Sequence, residues 1–429
     1  MKIALRGGLL IDGSGEAPKE HGTVVVEGSK IIGIGGSVEP ASDLQIVDVR
    51  GKTIMPGMID AHNHMAPWGS RLVSDQQDHL LYQAAKAVYN MKSCLEAGCT
   101  AVRDLGGLEA GIVRAQREGL LPGPRMQTSV CIIQPTNGLM DGAYQPVNWF
   151  TVSPQGLFAP QPGVPCAIAD GPWGVRRKVR EVLRAGADVI KIANCQAPFA
   201  KSSAPELPRS RSVFTREELD ALVDEAHRAG APVSVHSNFV PSTLEAVLAG
   251  VDSIEHGSIL DDRCAEEMAR RGIFLVPTIT NVMWHFERTT DPAMLAALKP
   301  IVEGIRYSFA LALEHGVPIA MGTDAAWASG LIGCELGHMV EFGMTPMQAI
   351  VAASSTAAKC LRLHDRTGVL RPGMEADLLV LSGNPLADIR LLADRRNIEL
   401  VMLAGRPMAG PMTRAFAWDP EAPMRNWMS

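Results

Sequence analysis

Apolar and polar positions alternate on two different periods along this chain. Residues 1 to about 55 carry short apolar or β-branched runs, KIALRGGLLIDG, GTVVVEGSKIIGIGG and LQIVDVRGKTIMPG, each closed by Gly, Ser or Asp. Such runs with turn residues between them predict an antiparallel β pattern. The same signature returns near the C-terminus in TGVLRPGMEADLLVLSG and NIELVMLAGRPM. Two β segments bracketing a long middle predict one small composite β-sandwich domain, built from residues 1–55 and 366–429.

From 56 to 365 the pattern changes. Strand-length apolar runs, CTAVRDL (99–105), RMQTSVCII (125–133), ADVIKIA (187–193), APVSVHS (231–237), VDSIEHG (251–257), GIFLVPTIT (272–280) and GVPIAMGTDA (316–325), are separated by helical patterns. Among the latter, GVRRKVREVLRAG, TREELDALVDEAHRAG, STLEAVLAG and PMQAIVAASSTAA space apolar residues three to four apart, and several end in Ala-Gly. Thr215 before Glu217 and Glu218 predicts an N-cap with acids in the first turn. Strand and helix alternating about eight times is the requirement of an α/β fold of the (β/α)8 TIM barrel type, placed here over 56–365. A doubly wound open sheet is the runner-up, but no G-x-G-x-x-G or Walker A loop supports it.

Composition narrows the function classes. A chain of 429 residues with 46% hydrophobic content buries a sizeable core, and a net charge of −6 spread along the sequence offers no face for nucleic acid. The eight scattered cysteines form no C-x-x-C pair, which predicts a reducing, cytoplasmic setting. The N-terminal apolar run is broken by Arg6-Gly7-Gly8, too short for a secretory signal, and no later stretch is long enough to span a membrane.

Candidate chemistry gathers where the predicted strands end. In IDAHNHMAPW, His62 and His64 stand one residue apart, and alternate strand positions share a face. The other strand ends supply Lys191 in VIKIA, His236 in VSVHS, His256 in SIEHG and Asp324 in MGTDA. Alone, His236 or His256 reads as a hydrogen-bonded core histidine and Asp324 as a helix N-cap. Lys191 is the exception, because an unpaired ammonium inside an apolar strand costs several kcal/mol or loses its proton. A neutral buried lysine reacts with carbon dioxide to give a carbamate, an anionic two-oxygen ligand that can bridge two cations. Four imidazoles, that bridge and one carboxylate suit two divalent ions about 3.5 Å apart.

The H-x-H, Lys, His, His, Asp order resembles that of the amidohydrolase superfamily, and the resemblance runs over essentially the whole chain, including GMEADLLVLSGNPLADI. TAVRDLGG, EGLLPGPR, VDSIEHG and GMTPMQAIVAASSTAAKCL resemble the branch with Xaa-Pro dipeptidases, imidazolonepropionase-like proteins and ochratoxin-type amide hydrolases. The resemblance implies that His62, His64 and Asp324 hold one ion, that His236 and His256 hold the second, and that N6-carboxylated Lys191 bridges them. By ligand type the metal is zinc, with manganese or cobalt as replacements. It further implies a metal-bridging hydroxide attacking a carbonyl, with Asp324 passing the proton to the leaving nitrogen.

Two departures weaken a dipeptide assignment. Strand three leads into IIQPTNGLMDG without a histidine, and Asn238 stands two residues after His236. Trp68, Trp149, Phe150, Trp284 and Trp327 suit an apolar pocket wall or loop packing. Arg209 and Arg211 suit a substrate carboxylate or a solvated loop, and Asn137 and Asn238 complete the candidate substrate contacts. The leading expectation is hydrolysis of an amide bond in a small molecule: an N-acyl amino acid, a dipeptide, or an aromatic, ochratoxin-like amide. Carbamates, ureas and cyclic amides of the imidazolonepropionase kind are the alternatives. A non-catalytic scaffold fits poorly, since every ligand position is filled. Relatives of this shape form homo-oligomers, and the same is expected here.

Overall fold

The computed structural model describes residues 2–35, 44–66, 79–139, 167–195, 211–325 and 330–416. Its architecture is mixed α/β. Sixteen strands are found among these residues: β1 (Lys2–Leu10), β2 (Lys19–Glu27), β3 (Lys30–Gly35), β4 (Leu44–Asp48), β5 (Thr53–Pro56), β6 (Met58–Asn63), β7 (Cys99–Asp104), β8 (Arg125–Thr128), β9 (Ile132–Ile133), β10 (Ile190–Ala193), β11 (Val233–Ser237), β12 (Ser253–His256), β13 (Phe274–Val276), β14 (Leu378–Leu381), β15 (Ile398–Leu403) and β16 (Arg406–Ala409).

Strands from both chain ends share one sheet in the order β16-β15-β14-β5-β1-β2-β3, with β4 on β1. The expected antiparallel pattern holds for β1 with β2 and for β14 with β5, whereas β1 pairs with β4 and β5 in parallel. The parallel pairs arise because the chain leaves β1 through the β2–β3 hairpin and returns on its other edge. β14 is a continuous LLVL run because both its faces are covered. Leu378 and Val380 point into a cluster with Ile3, Leu5, Leu10 and Val24, while Leu379 and Leu381 join the large core of the central region.

The central strands form two parallel sheets, β6-β7-β8 and β13-β12-β11-β10-β9. The predicted run 125–133 is interrupted at Ser129–Cys131, where Val130 adopts a left-handed φ of 63°. Its first part pairs with β7 and its last part with β10, so it joins the two sheets. At the opposite side the predicted strand 316–325 is no regular strand, only a bridge of Ile319 to Leu275 with irregular backbone bonds. Leu275 N–H donates to Pro318 (2.9 Å), Ala61 N–H to Met321 (2.9 Å), and the amides of Thr323 and Asp324 both donate to the His62 carbonyl (3.1 and 2.7 Å). That segment therefore connects β13 to β6.

Helices alternate with these strands and are closed as their sequences dictate. In Arg216–Arg228 the Thr215 hydroxyl accepts from the Glu218 amide while the Glu218 carboxylate accepts from the Thr215 amide, a reciprocal capping box. Leu219, Leu222, Val223 and Ala226 bury the face toward the strands. The predicted run 272–280 is shorter as a strand than expected, since a helix, Ile279–Arg288, begins immediately beyond β13. No helix among the described residues is long and apolar enough to cross a membrane.

Candidate metal centre

Parallel strands deliver their C-terminal ends to one side, and the six predicted ligands lie there. His62 is the penultimate residue of β6 and His64 follows its end. Lys191 sits within β10 in register with Ser234 of β11, two residues before Ala193, which pairs with His236, and Ser237 is in register with His256 on β12. The Asp324 carboxylate Oδ1 lies 3.1 Å from His64 Nε2 and 3.5 Å from His62 Nε2. Ring centroids of His62 and His256 are 5.1 Å apart, and those of His236 and His256 4.5 Å. Donor atoms of His62, His256 and Asp324 all fall within 4.8 Å of one another, a spacing that can hold a metal ion.

Lys191 is 1% exposed, and its Nζ has no hydrogen-bond partner among the described residues. Burial pulls its ammonium down to about 8, against the opposing pull of Glu255 and Asp324. Burial likewise holds His62 and His256 far below the ordinary imidazole range, and takes His236 down to about 3 with help from Lys191. Neutral imidazole is the form that ligates metal. Burial would raise the Asp324 carboxyl, but His62, His64 and Lys191 outweigh it and leave it below its usual value. His64 is held above its usual value, because the Asp324 hydrogen bond and charge exceed the effect of burial.

Four of the six candidate ligands, His62, His64, His256 and Asp324, are held from behind, the arrangement by which outer partners fix a ligating side chain. His62 Nδ1 faces Glu255 Oε2 at 2.7 Å, and the wholly buried Glu255 also accepts from Arg103, Ser234 and Ser253. His64 Nδ1 meets the Gly106 carbonyl (3.1 Å) in a turn whose amides at Gly106 and Leu108 donate to Asp104. His256 Nδ1 meets Thr278 Oγ1 at 2.7 Å, and Asn281 Nδ2 donates to Asp324 Oδ2 at 2.7 Å. Asp60 is buried and ties β6 to the Asp324 segment, accepting from the amides of His62 and Thr323 and from the Thr323 hydroxyl. His256, Thr278 and Asp324 all have left-handed φ values (74°, 50° and 49°), conformations costing about 1–3 kcal/mol each that persist only where neighbours enforce them.

Asn238 is placed differently from a free substrate contact. It is buried, with its Nδ2 3.0 Å from His236 Nε2 and its Oδ1 accepting from Ser258 Oγ at 2.7 Å. Turning this amide by 180° lets Oδ1 accept from Nε2–H and frees His236 Nδ1 to bind a cation. Asn137 is half-buried in the turn after β9, with a left-handed φ of 62°, and Arg211 is half-buried ahead of helix Arg216–Arg228. Trp68, Trp149, Phe150, Trp327 and Arg209 lie outside the described residues. Trp284 carries the Arg288 guanidinium 3.5 Å from its ring centroid and lines an outer cavity of about 640 Å³. Sequence reading passed over Glu255, Arg103, Asp60, Thr278 and Asn281. A Glu preceding the predicted ligand in SIEHG was the one local signal.

Residues 53–408 match the amidohydrolase family. The chain is 31% identical over 420 residues to ochratoxinase of Aspergillus niger, covering 94% of this chain and 86% of that protein. The chain belongs to the amidohydrolase family, and it is a hydrolase. The crystal structure of A. niger ochratoxinase is similar to it with a TM-score of 0.86 at 30% identity, over 98% of this chain and 97% of that one. A Xaa-Pro dipeptidase with methionine bound in its active site gives a TM-score of 0.84 at 30% identity, over 95% and 99%. Imidazolonepropionase of Paracoccus denitrificans is 27% identical over 395 residues, 84% of this chain and 88% of that protein.

Proposed function

We propose that the protein is a binuclear metal-dependent amidohydrolase that cleaves an amide bond of a small molecule. The observation that carries this reading is the Lys191 Nζ, buried without a hydrogen-bond partner among the described residues and close enough to His62, His236, His256 and Asp324 for its charge to act on each. A buried amine without a partner is costly and calls for a cause, such as a bound ion or a catalytic role. Addition of the neutral amine to carbon dioxide forms the N–C bond of a carbamate and releases one proton to solvent. The product offers two anionic oxygens, which with His62, His64, Asp324, His236 and His256 fits two divalent cations, zinc by donor type. When bound, the ions polarise a carbonyl and lower the pKa of water toward neutrality.

The chain's own residues do the rest. Asp324, ionised and held at Oδ2 by Asn281, accepts the attacking water's proton at Oδ1 and returns it to the leaving nitrogen. Glu255 keeps His62 in the tautomer whose Nε2 faces inward. We also read the parallel strands, with 318–324 as the eighth, as a closed (β/α)8 barrel over 56–365, and residues 1–55 with 366–429 as one β domain. The amide class draws support from the likeness to ochratoxinase and to a Xaa-Pro dipeptidase. Substrates in that class are N-acyl amino acids, dipeptides and aromatic amides.

Metal counting with a substrate panel tests this. Zinc-supplemented protein is expected to carry two ions per chain and to hydrolyse a member of a panel of N-acyl amino acids, Xaa-Pro dipeptides, aryl amides, carbamates and ureas. Lys191→Ala should lose metal and turnover, with partial return on adding a short carboxylate such as propionate. Full metal content and full turnover in that variant would remove the bridge.

A further inference from the structure

Helix Ile279–Arg288 starts without a cap of its own. Thr278 occupies its N-cap position but makes no capping hydrogen bond, since its left-handed φ of 50° is not the extended conformation that an N-cap uses, and its hydroxyl instead meets His256 Nδ1 at 2.7 Å. A threonine there ordinarily accepts an amide of the first turn. The first-turn amides are instead taken by a carboxylate from another helix. Glu335, wholly buried on helix Ile332–Glu341, accepts from the amide of Ile279 through Oε1 (2.8 Å) and from that of Thr280 through Oε2 (2.7 Å). Both bonds act directly beside Thr278, whose left-handed backbone is unfavourable for a β-branched residue. One residue beyond Thr280, Asn281 donates to both the side chain and the carbonyl of Asp324.

We propose that Glu335 is a positioning residue for the reacting centre, clamping Ile279 and Thr280 so that Thr278 and Asn281 hold His256 and Asp324 from behind. With Glu335 on the Ile279 and Thr280 amides, the helix start needs no capping bond from Thr278, and the threonine can hold the left-handed conformation that turns its hydroxyl to the histidine. One short segment thereby braces a ligand of each ion, so that Glu335 governs both at once. This rests on the binuclear reading of the site. Neither reaction atom nor ligand is touched by Glu335 itself.

Chelator competition on zinc-loaded protein provides a test that does not depend on turnover. Wild type, Glu335→Gln, the double variant Thr278→Val/Asn281→Ala and the triple variant are compared for the rate of zinc release to a chromogenic chelator. Glutamine keeps one acceptor oxygen and turns an NH2 toward the other amide, so Glu335→Gln should release both ions 10–100-fold faster. The triple variant should release no faster than the double, since the clamp acts only through those two side chains. Unchanged release in Glu335→Gln, or a full additional acceleration in the triple variant, overturns the proposal. If Glu335→Gln does not fold, the double variant decides, and zinc held by it as tightly as by wild type overturns the proposal. A wild type that takes up no zinc overturns the metal-centre reading itself, a separate result.

Discussion

Glu335 accepts two backbone amides, yet the loss of water dominates its titration. Burial pushes its carboxyl from 4.5 up to about 7, against the hydrogen bonds from Thr280 and Ile279 that favour the charged form. The folded chain therefore keeps this proton between pH 4.5 and 7, where the unfolded chain has released it. Stability from this group is present in full below pH 4.5 and is lost as pH rises to 7, by about 3 kcal/mol. In metal-free protein, the urea midpoint of wild type should fall relative to that of Glu335→Gln between pH 5 and 7.5. Asp60 and Asp104, both raised by burial to about 6, share the direction but are common to the two proteins and cancel in the comparison. Parallel pH curves for the two would show that Glu335 titrates like a solvated acid.

At the scale of elements, the segment joining β13 to β6 decides how close Asp324 comes to the histidines. Gly322 lies in it, and a Cβ there would stand 2.9 Å from both His62 N and His62 Cβ and press on Val276 Cγ1. Backbone cannot yield as a flexible side chain does, so Gly322→Ala should push the segment off β6. Overpacking of this kind costs about 1–3 kcal/mol, and a shift of about 1 Å at Asp324 costs about a hundredfold in rate. Gly174→Ala is the control, because a Cβ there meets nothing within 4 Å, and alanine in a helix interior is favoured by about 0.5–1 kcal/mol. A Gly322→Ala protein with the thermal midpoint and turnover of wild type would mean that the segment has room to spare.

The same segment marks where legibility ended. The six candidate ligands were readable because each is a polar residue set in or at the end of an apolar run, a contrast that survives in one dimension. GVPIAMGTDA was readable as apolar but not as irregular, since its backbone bonds go to Leu275 and His62, partners far away in sequence. The break at Val130 was equally hidden, because nothing in RMQTSVCII favours a left-handed valine; the surroundings impose it. Glu255, Asp60, Thr278, Asn281 and Glu335 acquire meaning only through neighbours brought close by folding. A buried carboxylate looks like any other acid until its partners are known.

For the whole molecule, the question is whether the terminal sheet and the central strands unfold as one. The large core contains Met55, Leu379, Leu381, Ile398 and Val401 together with Ile190, Val233 and Ile254, so apolar contact is continuous between them. Arg125 adds a polar tie: from β8 it reaches Asp377, just ahead of β14, through Nε to Oδ2 (2.9 Å) and Nη2 to Oδ1 (3.0 Å), and it also pairs with Glu375. The Asp377 side chain is fully buried, and its remaining partner among the described residues is the Ala404 amide at 2.7 Å. Removing one member of a buried pair costs about 3–5 kcal/mol because the other charge stays behind without water. Arg125→Gln should therefore lower stability toward the lower end of that range, since the Ala404 amide still serves Asp377. The loss should reach both regions together if the shared core keeps them coupled. Hydrogen exchange in increasing urea can follow β14 and β15 alongside β10 and β11. Coincident loss of protection in wild type and in Arg125→Gln is the expected result. Release of β14 and β15 at lower urea while β10 and β11 stay protected would show that the sheet built from both chain ends is an independent unit.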